Sequence, residues 1–103
     1  MSKVSVVARI DAKEGKGDEL IAAFDKLLAE VAKEPGTIQY VLHRSSTDPD
    51  VLYMTEIYEN QAALDAHMGS DHFKSFGAGL GDLVKGADLQ FLTPVSAAKG
   101  LDI

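Results

Sequence analysis

The chain has 103 residues, of which 46% are hydrophobic and 25% charged, enough for one core and too few for two. A net charge of −6 leaves no clustered Lys and Arg for a phosphate backbone, so no nucleic-acid partner is expected, although a small anion could still be met by local charge. The absence of cysteine excludes disulfides, thiolate nucleophiles, thiolate zinc sites and iron–sulfur clusters. Neither a membrane-spanning run nor a signal peptide is visible, because Met1-Ser2-Lys3 leads straight into a strand pattern. The expectation is a cytoplasmic protein with no membrane partner.

Residues Lys3 to Ala12 alternate, with Val4, Val6, Ala8 and Ile10 on one face and Ser5, Val7, Arg9 and Asp11 on the other, which predicts a first strand. Lys13-Glu-Gly15-Lys-Gly17 is a turn, and Asp18 suits a helix cap or first-turn acid. Leu20, Phe24, Leu27, Leu28 and Val31 then recur at helical spacing, giving an amphipathic helix to about Lys33 that Glu34-Pro35-Gly36 stops. A second strand is expected over Thr37 to Ser46, with Ile38, Tyr40 and Leu42 on one face and Gln39, Val41 and His43 on the other. After the turn Thr47-Asp-Pro49-Asp50, a third strand runs from Val51 to Glu59 and is apolar on both sides except at Glu56.

Asn60 can cap a helix through Met68, and a second helical stretch is expected from Asp71 to about Val84. Gly77, Gly79 and Gly81 weaken that stretch by roughly 1 kcal/mol each relative to alanine. A last strand, Asp88 to Pro94, completes a single domain over residues 3–94, followed by a tail, 95–103, of small and polar residues. The order β-α-β-β-α-β indicates an α+β, ferredoxin-like antiparallel sheet with helices on one face. Strands one and three are apolar on both faces, which would leave a large patch in water. Sheet-to-sheet pairing into a homodimer follows as the expectation.

Chemistry concentrates between Glu56 and Phe73, where a strand carboxylate, Tyr58 and two histidines share one segment. His67 and His72 are five apart, whereas helical metal pairs usually stand four apart, so no metal site is expected. Glu56 sits among Leu52, Met54 and Tyr58, so it needs a raised pKa or a partner. Arg9 and Arg44 are candidates for a salt bridge; the alternative makes Glu56 an acid/base or the orienter of His67. His43 lies mid-strand, on the opposite side to Tyr40, either lining a pocket or packed beneath a helix. Gly15-Lys-Gly17 lacks the third glycine of a dinucleotide fingerprint, and the serines have no partners for hydrolase chemistry.

Taken together, Glu34-Pro35-Gly36, Tyr40, His43-Arg44, Asp48-Pro49, Glu56-Ile-Tyr58-Glu, Ala62, Leu64, His67 and His72-Phe73 resemble the antibiotic biosynthesis monooxygenase domain, over nearly the whole chain. The resemblance implies a ferredoxin-like fold assembled as a dimeric α+β barrel. It also implies one of several chemistries: monooxygenation of polyketide or quinol-type aromatics, haem degradation, or isomerisation of a phosphorylated sugar derivative. The haem branch's axial histidine falls at Gly77 here, its pocket asparagine near Ala8 and its tryptophan at His67, so haem is not expected.

The resulting expectation is a monooxygenase without cofactor, taking a small aromatic substrate and molecular oxygen. His67 would act as general base with Glu56 coupled to it, and Tyr40, Tyr58, His43, His72 and Phe73 would line the substrate site. Tyr58 stands where many relatives carry tryptophan. An isomerase or other proton-transfer enzyme on a small carbonyl compound, or a non-catalytic small-molecule-binding dimer, are the alternatives.

Overall fold

The computed structural model describes residues 2–103. Its elements are β1 (Val4–Ala12), α1 (Gly17–Val31), β2 (Thr37–Arg44), β3 (Val51–Tyr58), α2 (Gln61–Met68), α3 (Asp71–Ala78) and β4 (Val84–Leu92). All strand pairs are antiparallel and the sheet order is β2-β3-β1-β4. This is the expected ferredoxin-like α+β arrangement, with the second helical unit split in two.

Helix α1 forms because its apolar residues make one stripe: Leu20, Phe24, Leu27 and Val31 are all buried. They meet Ala8, Ile10, Ala12, Leu52 and Met54 of the central strands. Each such side chain contributes about 1.5–3 kcal/mol of burial. Phe24 also meets Phe76 of α3, with ring centroids 4.6 Å apart and planes tilted by 48°, which ties the two helices together. The turn before α1 is closed by Asp50, whose carboxylate accepts from the backbone N–H groups of Gly15 (2.9 Å) and Gly17 (3.0 Å). A Cβ on Gly17 would stand 2.2 Å from the Pro49 carbonyl, so only glycine allows this approach.

Two boundaries differ from expectation by four residues or more. Helix α3 ends at Ala78 rather than about Val84, and β4 begins at Val84 rather than Asp88. The glycines after Ala78 release the helix early, and a bulge between Asp11 and Ala12 of β1 carries the ladder on to the Ala12–Val84 pair. The Lys13 N–H also bonds to the Leu83 carbonyl at 2.8 Å.

Cross-strand register assigns the faces. Tyr40, Glu56, Val6 and Phe91 form one row beneath the helices, with Leu42, Met54, Ala8 and Leu89 as the next. The opposite, open face carries Val41, Thr55, Val7 and Gln90, then His43, Tyr53, Arg9 and Asp88. It is therefore mixed rather than continuously apolar, although Val41 and Leu92 stand exposed on it. Among the described residues no helix is long and apolar enough to cross a membrane.

Candidate active site

Three local devices bring the site together. Asn60 caps α2 by accepting from the Ala63 N–H at 2.9 Å, which sets the phase that turns Leu64 and His67 inward. Ser70 accepts from the Phe73 N–H and donates to the His67 carbonyl at 2.6 Å, so one side chain caps α3 and locks the helix junction. The turn after α1 lies directly against α2: a Cβ on Gly36 would come within 2.5 Å of the Ala63 Cβ. That close approach carries Glu34 to His67.

Glu34 is the hub. Its carboxylate lies 3.0 Å, through both oxygens, from His67 Nδ1 and 2.5 Å from His72 Nε2, and it accepts from the Thr37 hydroxyl at 2.6 Å. Burial alone would push this carboxyl upward, but the bonds from Thr37, His72 and His67 prevail and hold it below its usual range. His67 is only 2% exposed, and burial lowers its pKa despite the raising effect of Glu34. A neutral imidazole donating Nδ1–H to a carboxylate leaves its Nε2 lone pair free. Among the described residues, His67 Nε2 is the one buried side-chain polar atom without a hydrogen-bond partner.

The ring of His67 is enclosed by Phe73, Tyr40 and Tyr58, at centroid distances of 4.8, 5.1 and 5.4 Å. Glu56 makes no hydrogen bond to it among the described residues. Instead Glu56 accepts a 2.5 Å bond from the Tyr58 hydroxyl, while Arg9 pairs with Asp11 and Arg44 with Asp18. Burial, only partly offset by the Tyr58 bond, raises the Glu56 pKa to about 7, and the Glu34 charge adds to the rise. Burial likewise pushes both tyrosine hydroxyls, Tyr40 and Tyr58, well up, so they are neutral donors at physiological pH.

A cavity of about 140 Å³ opens beside this cluster, lined by Tyr40, Glu56, Phe73, Phe24, Met54 and Gly77 among others. A smaller void, shared by His67, Glu56, Phe73 and Leu89, adjoins it through the last three residues. Neither lining contains a Lys or Arg among the described residues.

The structure thus gathers His67, Glu56, Tyr40, Tyr58 and Phe73 at one place. His43 is not among them: it stands exposed on the open face, bonded to Thr55 at 2.9 Å, because strand alternation turns it away from Tyr40. His72 is also off the cavity; it lines two surface grooves, one of them shared with Glu34 and His67, and is bonded to Glu34. The two histidines are therefore joined despite their spacing, through a third residue. Glu34, which in the sequence reads as a helix stop, takes the orienting position expected of Glu56. Its only local signal is the Pro35-Gly36 that follows it.

Glu34, His67 and His72 present ligand atoms within 4.8 Å of one another and are the residues that could hold a metal ion. The chemistry of the set fits poorly. A metal-ligating imidazole almost always donates its other N–H to an acceptor, and His67 Nε2 has none. The carboxylate already lies between the two rings at hydrogen-bonding distance.

Residues 3–79 match the family model described as antibiotic biosynthesis monooxygenase. The chain is 32% identical over 83 residues to Rv0793 of Mycobacterium tuberculosis, whose name assigns it to the monooxygenases, with 81% of each protein covered. It is 30% identical over 73 residues to sll1783 of Synechocystis, a match over 71% of this chain that spans half the length of that protein. Among solved structures, a Caulobacter crescentus protein whose name places it in the same family superposes with a TM-score of 0.86 at 35% identity, covering 92% of both chains. SO0527 of Shewanella oneidensis superposes with a TM-score of 0.88 at 29% identity, covering 93% of this chain and 94% of that one. The chain belongs to the antibiotic biosynthesis monooxygenase family.

Proposed function

We propose that this protein is a monooxygenase of small, neutral, single-ring phenols or quinols, with His67 as the general base. The observation that carries the reading is the free, buried Nε2 of His67, whose opposite nitrogen is tied to Glu34. This is the geometry of an oriented acid–histidine base. The cavity supports the substrate class: at about 140 Å³ it is close to the roughly 150 Å³ apolar cavity known to hold benzene. One lining carboxylate, Glu56, and no lining cation disfavour phosphorylated or carboxylated compounds.

In the reaction, His67 Nε2 takes a phenolic proton, leaving an electron-rich phenolate among Tyr40, Tyr58 and Phe73. The neutral hydroxyl of Tyr40 stabilises the anion, and Glu56, near its titration point and held by the Tyr58 hydroxyl, exchanges a proton with the ring oxygens. The phenolate carbon supplies electrons to molecular oxygen. One oxygen atom bonds to the ring and the other leaves as water, so that hydroquinone plus O2 gives hydroxybenzoquinone plus H2O with no external reductant. Apolar walls keep competing water away from the ring. Leu89 and Phe91 stand 41% and 56% exposed at the β4 side of the cavity, on the helix-side face.

Oxygen uptake with a panel of substituted hydroquinones tests the proposal, with His67→Ala as the diagnostic variant. Turnover of a small carbonyl compound under strict anaerobiosis would instead identify a proton-transfer enzyme using the same groups.

A further inference from the structure

We propose that the substrate ring carries an apolar chain, and that Leu89, Phe91 and Met68 hold this chain at the mouth of the cavity. This rests on the reading of the cavity as the ring site. At about 140 Å³ the cavity is filled by a single ring, so a substituent has to lie outside it. Its wall residues Ala8, Ile10 and Met54 are buried, whereas Gly77 of α3 and Ala87 and Leu89 of β4 are exposed. The cavity therefore opens between α3 and β4. Leu89 belongs to this mouth and also to the smaller void beside it, whose lining adds Phe91 and Met68. Leu89 and Phe91 stand two residues apart on the helix-side face, opposite Ala8 and Val6 of β1, and so cover about 7 Å of strand. Met68, the last residue of α2, completes the strip.

Chemistry selects the occupant. Single exposed apolar side chains are ordinary, but Leu89, Phe91 and Met68 form a cluster continuous with a cavity, which is the mark of a binding surface. Neither void is lined by Lys or Arg among the described residues, and the one carboxylate, Glu56, is buried. An anionic side chain would find no counter-charge there, whereas a hydrocarbon chain leaves water without losing a hydrogen bond. Each methylene moved from water onto the strip tightens binding up to roughly fourfold, and about twofold where only one side of the chain is covered. The substrate class thus narrows to phenols or quinols bearing an alkyl or similar hydrocarbon substituent.

The test measures binding of phenol, 4-ethylphenol, 4-butylphenol and 4-hexylphenol to the intact protein by titration calorimetry, with oxygen uptake on hydroquinone and hexylhydroquinone alongside. Kd should fall with every methylene, so that 4-hexylphenol binds at least roughly fiftyfold more tightly than phenol. Met68→Gln combined with Phe91→Thr should remove most of that gain without weakening phenol itself. Both side chains are exposed, and where the double variant fails to fold the two single variants are read in the same way. Equal Kd values for phenol and 4-hexylphenol, as expected if a second copy of this chain already covers the strip, overturn the proposal. A chain-length gain that survives the variants overturns it too. Either result leaves oxygen uptake on hydroquinone, and with it the reading of the reaction, standing. Chain-dependent binding that the variants abolish, without oxygen uptake, supports the strip and overturns the monooxygenase reading.

Discussion

Replacing Glu34 by glutamine removes one negative charge while keeping size and position. The carboxylate accepts from three side chains: His67 Nδ1, His72 Nε2 and Thr37. An amide offers one accepting oxygen and one donating NH2, so at least one imidazole N–H meets a donor. Leaving a buried polar group mispaired costs about 1–3 kcal/mol. For a domain of this size that lowers Tm by on the order of 10 °C. The catalytic loss is larger. His67 would turn to the opposite tautomer, leaving an N–H rather than a lone pair at Nε2, and its imidazolium would lose its counter-charge. The comparable exchange in serine proteases costs about 10⁴-fold in turnover, and general-base catalysis is worth about 10²–10⁴-fold. A drop of roughly 10²–10⁴ in kcat is expected, with little change in KM because Glu34 does not line the 140 Å³ cavity. Nitrogen-15 NMR of labelled histidine should show Nδ1–H for His67 in the wild type and Nε2–H in Glu34→Gln. Wild-type turnover in the variant, or an unchanged tautomer, would refute the reasoning.

Further outcomes follow from other parts of the site. Glu56 has a folded-state pKa raised from 4.5 to about 7 by burial. Its neutral form is favoured, so its contribution to stability is fully present below pH 4.5 and is lost as pH rises through about 7. The loss amounts to roughly 3 kcal/mol, and urea titrations should show Glu56→Gln flattening this decline and exceeding the wild type in stability at pH 8. Gly77 lines the cavity and a Cβ there meets nothing within 4 Å. Gly77→Leu should therefore fold, raise helix propensity by up to about 1 kcal/mol, and weaken 4-nitrophenol binding at least roughly tenfold by filling the ring's space. Gly17→Ala forces a Cβ against the Pro49 carbonyl, and calorimetry should show it destabilised by about 2 kcal/mol or more. Light scattering should find the wild type dimeric, and Val41→Lys with Leu92→Lys on the open face should shift it to monomer.

Periodicity made the fold legible. The alternation in β1 and β3, the stripe Leu20-Phe24-Leu27-Val31 and the Asn60 cap each have a local cause, so each could be read without tertiary information. The end of α3 could not, because it is decided by competition between glycine-rich helix and extension of the β1 ladder to Val84. The site was legible by residue type but not by partnership. His67, Tyr40, Glu56 and Tyr58 signal themselves as polar or aromatic groups in apolar runs. Glu34 meets His67 only because Gly36 lets its turn close on Ala63, a contact across 27 residues of sequence. His43 shows the converse: its residue type is suggestive, but strand parity puts it on the wrong face.

The most direct test of the account is turnover of hydroquinone under ¹⁸O₂ by the wild type and by His67→Gln. One labelled oxygen should appear in the quinone product and one in water, and the rate should fall at least roughly 100-fold in the variant. Product that carries no label, or equal rates for the two proteins, would contradict it.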